Sequence, residues 1–290
     1  MKFKLLLIIF PFILLLAACD LINPPEPIPA RIQLNELNIH VDPGQGTSRH
    51  KITEVWTIAN NDLIGAFTPP VEIPYITNEE MSNFRFRPGI RNNGILDDAI
   101  VYPMLTEYVV DLNTSPGTVS VVNPVIRYRP EVVFSLVSDF EVQNDFVDDR
   151  DTLVESRVVR SSVEPFEGSF SGEIILTPEI HFIEVGNAFP LGGIPTNGNP
   201  VYLEMHYKSE AEIAIGLLGV PLDGPPASNF FYLLRPSEEW NKIYIELTEQ
   251  VVLSDLPAYK ILFRARFPPS STQPSVRIQL DNIKVVHIPE

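Results

Sequence analysis

The feature that most constrains the fold of this chain is its proline content. The 290 residues include 28 prolines spread along the whole length, which is about twice the usual share. Proline removes a backbone donor and clashes with the preceding turn, so helix interiors rarely tolerate it. No segment shows a sustained helical period between capping residues. The sequence therefore predicts an all-β protein.

A period of two is clearest in the second half of the chain. Apolar and polar residues alternate in three segments: 201–208, 242–247 and 260–267. This period is typical of antiparallel strands with one buried face. In the last strand the apolar positions change parity between Leu280 and Ile283, which predicts a β-bulge at Asp281. We expect a two-sheet sandwich here.

The first 19 residues have the order of an export signal. Lys2 and Lys4 precede an apolar run over residues 5–16, and Ala17-Ala18-Cys19 closes it. The run is shorter than the roughly 18 residues that span a bilayer, and its order is typical of a secretory signal peptide. Leu-Ala-Ala before Cys19 resembles the lipobox of bacterial lipoproteins. That resemblance implies cleavage after residue 18 and acylation of Cys19; an ordinary signal peptide is the alternative.

Residues 19–29 are predicted to form the lipidated cysteine and a tether. Residues 20–29 include four prolines, a composition that favours an extended, semi-rigid spacer of about 3 Å per residue. The partner at this end would be a membrane, reached through the lipid anchor. Cys19 is the only cysteine, which excludes disulfides, cysteine-based zinc sites and thiol nucleophiles once it is acylated.

The net charge limits the partners. A formal charge of −16 repels nucleic acid and anionic lipid headgroups. We therefore expect no nucleic acid partner and a preference for neutral or cationic ones. A solvated acidic surface that keeps an exported protein soluble explains the same charge, and both interpretations stay open.

Residues 30–130 are predicted to form a small antiparallel β-domain. Part of this segment resembles the PEGA-type surface module, in which a strand pair with a tight turn and a Gly leads to Pro, a strand and a second Gly. The residues that match are Asn60-Asn61, Gly65, Pro69-Pro70, Phe84 to Phe86 and Gly89. This resemblance implies an all-β surface domain.

The same segment is similar to uncharacterised lipoproteins of Bacteroidetes-type bacteria. The residues that match their pattern are Trp56, Gly65-Ala66-Phe67, Arg87-Pro88-Gly89-Ile90 and Asn93-Gly94-Ile95. The similarity implies a lipid-anchored protein of the bacterial cell envelope at the outer membrane, in either leaflet. Asp20, directly after Cys19, favours inner-membrane retention in enteric-type sorting, so the destination stays open.

Residues 131–290 are predicted to form a jelly-roll β-sandwich. Three motifs carry this interpretation: Phe140-Glu141, the segment 167–172 before a strand, and Leu280-Asp281-Asn282-Ile283 near the end of the chain. They resemble the galactose-binding-like jelly roll that many carbohydrate-binding modules share. The resemblance implies a structural calcium ion held by Glu141 and Asp281, with backbone carbonyls completing an oxygen shell. No other cofactor is expected.

Catalytic motifs are missing from the sequence. It contains no G-x-S-x-G, H-E-x-x-H, phosphate-binding loop or dinucleotide fingerprint, the motifs that commonly mark hydrolases, metalloproteases and nucleotide enzymes. Carboxylates that could serve a glycoside hydrolase are present at Glu204, Glu212, Glu238 and Glu239. The sequence cannot place any two of them at the required separation, so a hydrolase stays the third alternative.

Aromatic residues suggest a sugar site. Saccharide sites combine an apolar or aromatic surface with a few convergent polar groups. Trp240 and Tyr232 lie close together in the sequence, and Glu204 and His206 share one face of a predicted strand. These four residues are the predicted glycan contacts. We therefore predict a non-enzymatic, lipid-anchored binding protein that recognises a glycan; the alternative is a structural or assembly component of an envelope protein complex.

Overall fold

The computed structural model of the chain describes residues 26–151, 153 and 156–290. The predicted signal peptide, Cys19 and the start of the tether lie outside these residues. Strands make up 51% of the structure and helices 4%, which confirms the all-β class. No helix in this part of the chain is long and apolar enough to cross a membrane.

Ten strands make up the N-terminal sheets. They are β1 (Ala30–Leu34), β2 (Asn38–His40), β3 (Glu54–Ala59), β4 (Asp62–Phe67), β5 (Val71–Tyr75), β6 (Met81–Arg91), β7 (Ala99–Val101), β8 (Tyr108–Asn113), β9 (Val119–Val122) and β10 (Val125–Arg127). A 3-10 turn, Asn92–Gly94, joins β6 to β7. The sheet orders are β5-β1-β9, β10-β2 and β4-β3-β6-β7, with β8 also on β6. The β1–β9 and β2–β10 pairs are parallel, a feature the expected antiparallel domain did not include.

The β3–β4 hairpin shows how local sequence sets this part of the fold. Asn60 and Asn61 form its two-residue turn with φ of 48° and 74°. Asparagine tolerates this left-handed region better than most residues, and such turns match the twist of the flanking strands. The Asn60 side chain also accepts a hydrogen bond from the Asn83 backbone amide at 2.9 Å. This contact fixes the turn against β6.

The remaining strands form the C-terminal sandwich. They are β11 (Val133–Ser138), β12 (Asp148–Asp149), β13 (Val159–Ser161), β14 (Ser171–Leu176), β15 (Phe182–Gly186), β16 (Leu191–Gly192), β17 (Val201–Ser209), β18 (Ile213–Val220), β19 (Ala227–Leu234), β20 (Ser237–Glu246), β21 (Ala258–Arg266) and β22 (Val276–His287). Sheet I has the order β13-β14-β22-β17-β20, with β11 also on β22. Sheet II has the order β12-β15-β21-β18-β19, with β16 also on β21. A short helix, α1 (Thr248–Ser254), follows β20.

The inner faces of the two sheets form the sandwich core. Leu203 and Met205 of β17 and Ile261 and Phe263 of β21 are buried in it, as the alternation in their segments predicts. The predicted slip in the last strand is present, because β22 faces β17 with a register shift opposite Glu204 and His206. This bulge reverses which β22 side chains face the core.

The N-terminal sheets cover part of the outer face of sheet I. Their core includes Tyr202, Tyr244 and Val286, which belong to strands of sheet I. The Tyr102 ring from the N-terminal part packs edge-on against Tyr202 and Tyr244, with centroids 5.2 and 5.0 Å apart. Aromatic pairs in this geometry contribute about 0.5–1.5 kcal/mol beyond their buried area. The two parts of the chain therefore share one apolar interface.

A buried carboxylate lies at the centre of this interface. Glu204 is 1% exposed, and its Oε1 accepts hydrogen bonds from the Tyr102 and Tyr128 hydroxyls, each at 2.8 Å. Its Oε2 accepts one from Lys242 Nζ at 2.8 Å. Burial alone would raise the Glu204 pKa, but the ammonium groups of Lys242 and Lys284 lower it to about 2. Glu204 is therefore ionised, and both of its carboxylate oxygens accept hydrogen bonds.

A second buried cation extends the network into the N-terminal part. Lys284 is fully buried, and its ammonium donates to the Thr47 carbonyl at 2.8 Å. Burial lowers the pKa of Lys284 to about 8, although nearby Glu204 opposes this shift. Lys242 likewise donates to the Arg49 carbonyl at 3.1 Å. Both lysines of sheet I thus hold the 47–49 segment in place.

Replacing the central carboxylate tests this network. We expect Glu204→Gln to lower the free energy of unfolding by roughly 3–5 kcal/mol, because it leaves a buried lysine without its counter-ion. The measurement is urea unfolding of the exported chain, which is residues 19–290 without the predicted signal peptide, carrying Cys19→Ser. As a control, Glu72→Gln breaks a half-exposed pair with Arg31 at 3.7 Å and should cost about 1 kcal/mol or less. Equal losses in the two variants would contradict a special role for Glu204.

Candidate ligand-binding clefts

Two of the predicted glycan contacts are not available to a ligand. Glu204 is buried in the interface network, and the N-terminal sheets cover it. His206 is also buried, with its ring stacked on Phe166 at 3.9 Å. Burial lowers the pKa of His206 to about 3, so the ring is neutral. Neither residue offers the exposed polar group that the predicted glycan contact needs, because N-terminal tyrosines cover Glu204 and Phe166 covers His206.

Trp240 lies near the start of β20, beyond the covered region. It is half-buried, and its ring centroid lies 5.7 Å from that of Phe166. Its Nε1 donates to the Glu164 carbonyl at 3.1 Å. These two contacts fix the ring while the residue keeps part of its surface in solvent. Trp240 therefore stays a candidate for ligand contact.

Tyr232 is directed elsewhere. It belongs to β19 of sheet II and is half-buried. Its hydroxyl donates to the Asn93 carbonyl in the N-terminal 3-10 turn, and burial raises its pKa. Trp240 contacts the 164–166 segment instead. The structure therefore does not bring Tyr232 and Trp240 together as one stacking platform.

A cleft of about 480 Å³ opens beside Trp240 on the uncovered end of sheet I. Its walls come from β17, β20, β22 and their neighbouring loops. The residues that line it are Glu164, Lys208, Ser209, Glu210, Pro236, Ser237, Glu238, Gln273, Arg277 and Gln279. Trp240 contacts this lining through Glu164. We call this site the Trp240 cleft.

Internal contacts hold the polar groups of the Trp240 cleft in place. Lys208 Nζ pairs with the Glu164 carboxylate at 3.0 Å, and this hydrogen bond lowers the Glu164 pKa. The Gln279 side-chain amide donates to the Val163 carbonyl at 2.7 Å. The Arg277 Nε pairs with Glu173 at 2.9 Å. The cleft thus presents donors and acceptors with fixed positions.

A second cleft, of about 630 Å³, lies at the same end of the sandwich on sheet II. The residues that line it are Glu210, Ala211, Glu212, Ala214, Leu233, Pro236, Arg264, Ala265, Arg266, Phe267, Pro268, Pro269 and Ser270. Two of its arginines lie over aromatic rings, Arg264 over Phe230 at 3.7 Å and Arg266 over Phe182 at 4.4 Å. We call this site the Arg266 cleft.

The predicted calcium ligands, Glu141 and Asp281, both accept hydrogen bonds from backbone amides. The Glu141 Oε1 accepts the backbone amides of Ser169 and Phe170 at 2.8 and 2.9 Å. Asp281 accepts the Asn282 amide at 2.7 Å. Burial, with a smaller effect of Glu141, raises the Asp281 pKa to about 7. No group of three or more acidic, histidine or cysteine side chains among the described residues is placed to hold a metal ion. A calcium ion held by Glu141 and Asp281, with backbone carbonyls as its other ligands, stays a prediction.

The carboxylates considered for a hydrolase are dispersed. Glu204 is buried with a lowered pKa, whereas Glu212 and Glu238 line different clefts. A glycosidase needs two carboxyl groups facing one bond, one of them with a raised pKa. No two of these four carboxylates line the same one of the two clefts.

Sequence reasoning missed most of the residues that line the two clefts. Three of them are ordinary polar residues of alternating strands: Lys208, Arg277 and Gln279. Alternation does not indicate which end of a strand face is open to solvent and which end is covered by another part of the chain. The covering part lies far away in the chain, since Tyr102 reaches Glu204 across 102 positions. Within its own strand, parity put Lys208 on the same face as Glu204 and His206, and only that much was readable beforehand.

Comparisons with known proteins found matches among solved structures only. No family model matches the chain, and no curated protein matches it. Among solved structures, the CBM22-1 xylan-binding domain from Paenibacillus barcinonensis Xyn10C is 12% identical, covers 55% of this chain and 96% of that domain, and has a TM-score of 0.39.

Two further solved structures are similar over about the same share. The tailspike protein 4 enzymatically active domain of bacteriophage CBA120 is 13% identical over 59% of this chain and 26% of that one, with a TM-score of 0.42. A family 29 carbohydrate-binding module is 15% identical over 54% of this chain and 89% of that one, with a TM-score of 0.33. At these scores the function has to be inferred from the clefts themselves.

The buried Asp281 gives a test by pH. Because its folded pKa of about 7 exceeds its ordinary value of 3.8, the folded chain binds a proton that the unfolded chain has released between these pH values. This group's contribution to stability is therefore greatest at low pH and declines until about pH 7. We expect Asp281→Asn to remove the decline, so that variant minus wild-type stability rises by roughly 1–4 kcal/mol between pH 4 and 8.

Chemical denaturation at a series of pH values measures this difference. The variant changes one group only, so titration of the other carboxylates cancels in the subtraction. A stability difference that stays constant from pH 4 to pH 8 would show that Asp281 titrates normally.

Proposed function

We propose that the chain is a non-catalytic binding protein whose C-terminal sandwich recognises glycans in the Trp240 cleft. The observation that carries this proposal is an aromatic ring, fixed by Phe166 and Glu164, beside an open cleft with fixed polar groups. Ligand sites combine aromatic or apolar surface with a few well-placed polar groups in this way. The Trp240 ring would stack on the apolar face of a sugar.

The polar groups suit a ligand rich in hydroxyls. Each hydroxyl both donates and accepts hydrogen bonds. The cleft offers donors at Lys208 and Arg277, acceptors at Glu164 and Glu238, and an amide at Gln273 that does both. Because Lys208 and Arg277 are already held by ion pairs, little side-chain entropy is lost when a sugar binds.

The ion-paired Glu164 is unsuited to act as a general acid. A general acid for glycoside cleavage has a raised pKa so that it keeps its proton near neutral pH. In the Trp240 cleft, the hydrogen bond from Lys208 lowers the Glu164 pKa. The carboxylate is therefore an acceptor and an ion-pair partner. We accordingly propose recognition without turnover.

An envelope protein partner is a second candidate function, and one surface favours it. Val119 and Val121 of the edge strand β9 are about half exposed, as is Val125 of β10. Exposed apolar side chains on an edge strand mark contact sites for other chains. Cross-linking in the native membrane would test it. A partner captured at these valines would support an assembly role.

The cellular address remains a proposal as well. Cys19, followed by the proline-rich tether 20–29, supports a lipid anchor that holds the sandwich away from a membrane of the cell envelope. We propose the outer membrane, with Asp20 as the residue that could redirect the chain to the inner one. The anchor would place the clefts at a membrane surface without any transmembrane segment.

Glycan binding is tested first on an array of host, plant and bacterial glycans. We expect saturable binding by the exported chain carrying Cys19→Ser. Trp240→Ala should weaken it at least about tenfold, equivalent to 1.4 kcal/mol, because the ring supplies the stacking surface. The matched control is Phe189→Ala, which removes an aromatic side chain that is 80% exposed and remote from the cleft lining.

Repeating the array with excess calcium and with a chelator tests the calcium prediction. Binding that is lost on chelation would support an ion at Glu141 and Asp281, and unchanged binding would count against it. Silence across all glycans would reject the glycan proposal and direct attention to the protein partner. Full binding by Trp240→Ala would place the site elsewhere.

Lipidation is tested by growing cells with an alkyne fatty acid and isolating the chain. We expect the wild type to carry the label and to sediment with membranes, because the acyl chains partition into the bilayer. Cys19→Ser should lose both properties. Asp20→Ser serves as the control, since it should keep the label whichever membrane receives the protein. Label retained by Cys19→Ser would contradict the anchor.

A further inference from the structure

We infer that the Trp240 cleft and the Arg266 cleft form one continuous site, and that its ligand is an internal stretch of a neutral, linear polysaccharide. This inference rests on the proposed glycan-binding function and adds the class of glycan and a second subsite on the other sheet. It is carried by the shared lining of the two clefts, their apolar and polar surfaces, and their charge.

The two clefts meet at a ridge. Glu210 and Pro236 line both of them. Glu210 lies between β17 and β18, and Pro236 between β19 and β20, so the ridge is the tip of the sandwich where two chain reversals adjoin. A ligand that leaves one cleft over this ridge enters the other.

The ridge is rigid. The Glu210 backbone amide donates to the Arg277 carbonyl at 2.9 Å, and the Glu210 carboxylate accepts the Arg277 amide at 2.6 Å. Beside it, the Ser209 hydroxyl donates to the Ala211 carbonyl at 2.6 Å. These bonds hold the chain reversal in one conformation, so a ligand crossing it meets a preformed surface and loses little affinity to ordering.

The Arg266 cleft has the surface a second sugar needs. Ala214, Leu233 and Phe267 contribute apolar area to its lining, and the Leu233 side chain is 53% exposed. Stacking over Phe182 holds the Arg266 guanidinium at the rim. Arg266 forms no ion pair with any residue the structure describes, so its donors are free for hydroxyls.

The charges favour an uncharged ligand. Three cations around the two clefts are neutralised in pairs: Lys208 by Glu164, Arg277 by Glu173 and Arg264 by Glu184. The remaining charged groups in the lining are Arg266 and the acids Glu210, Glu212 and Glu238. This leaves an acidic excess on a chain of formal charge −16, which repels uronates and sulfated glycans.

Because both clefts open to solvent, the site indicates a polysaccharide that is bound along its length. Clefts of about 480 and 630 Å³ lie on opposite sides of the ridge, and each opens to solvent. A short saccharide fills one cleft only. A longer chain fills both clefts. Once one part of that chain is bound in the first cleft, binding of another part in the second cleft is an intramolecular event, and this raises the overall affinity.

The experiment uses neutral xylo-, manno- and gluco-oligosaccharides from the disaccharide to the octasaccharide, titrated into the exported chain carrying Cys19→Ser. We expect the octasaccharide of the recognised series to bind at least about tenfold tighter than the disaccharide. Arg266→Ala should abolish that gain, whereas Trp240→Ala should weaken the binding of both the disaccharide and the octasaccharide. Arg31→Ala, a half-exposed arginine of β1, is the matched control and should change neither.

The possible failures are distinguishable. Equal affinity for the disaccharide and the octasaccharide, with Trp240→Ala still damaging, would overturn the continuous site and leave the proposed function standing. Polygalacturonate bound as tightly as the neutral series would overturn the neutral class. No binding to any neutral series would overturn this inference, and silence across the whole glycan array as well would overturn the proposed function.

Discussion

The Glu204 carboxylate is the group on which the arrangement of the molecule depends. It is buried on the outer face of sheet I, with two tyrosine hydroxyls from the N-terminal part and Lys242 as its partners. An ionised carboxylate in such a place is tolerated only when paired and hydrogen-bonded. Because those partners come from both parts of the chain, the N-terminal sheets and the sandwich are held in one relative position. The lysine contacts to the 47–49 segment strengthen the same junction.

This junction decides which surface remains for function. It covers Tyr202 and Glu204 in the middle of sheet I, and it leaves the end of the sheet beside Trp240 uncovered. The chain reversals at that end separate two clefts by one ridge at Glu210 and Pro236. A rigid tip with fixed donors, acceptors and one aromatic ring is suited to recognition, since nothing in it has to be reorganised on binding. The proposed tether from Cys19 would present this tip at a membrane surface.

Part of this arrangement was readable from the sequence. The period of two predicted the strands, and the change of parity after Leu280 predicted the bulge that is present in the register of β22. The class of the fold followed from proline and alternation. The predicted exposure of one strand face was wrong. Alternation puts four residues on this face: Tyr202, Glu204, His206 and Lys208. The first three are buried, and only Lys208 is partly open. Alternation reports which residues share a face, while the burial of that face depends on Tyr102 and Tyr128, which lie 102 and 76 positions from Glu204. Trp240 remains a candidate for ligand contact because it lies beyond the covered region.

The most direct test of glycan recognition at the tip uses the fluorescence of Trp240. The chain has two tryptophans, so Trp56→Phe in the N-terminal part leaves Trp240 as the only reporter. Titration with the glycan that binds on the array should shift or quench its emission with the same midpoint as binding, because the ring leaves water when the sugar stacks on it. Saturated binding with unchanged Trp240 emission would show that the ligand occupies another surface and would contradict the account.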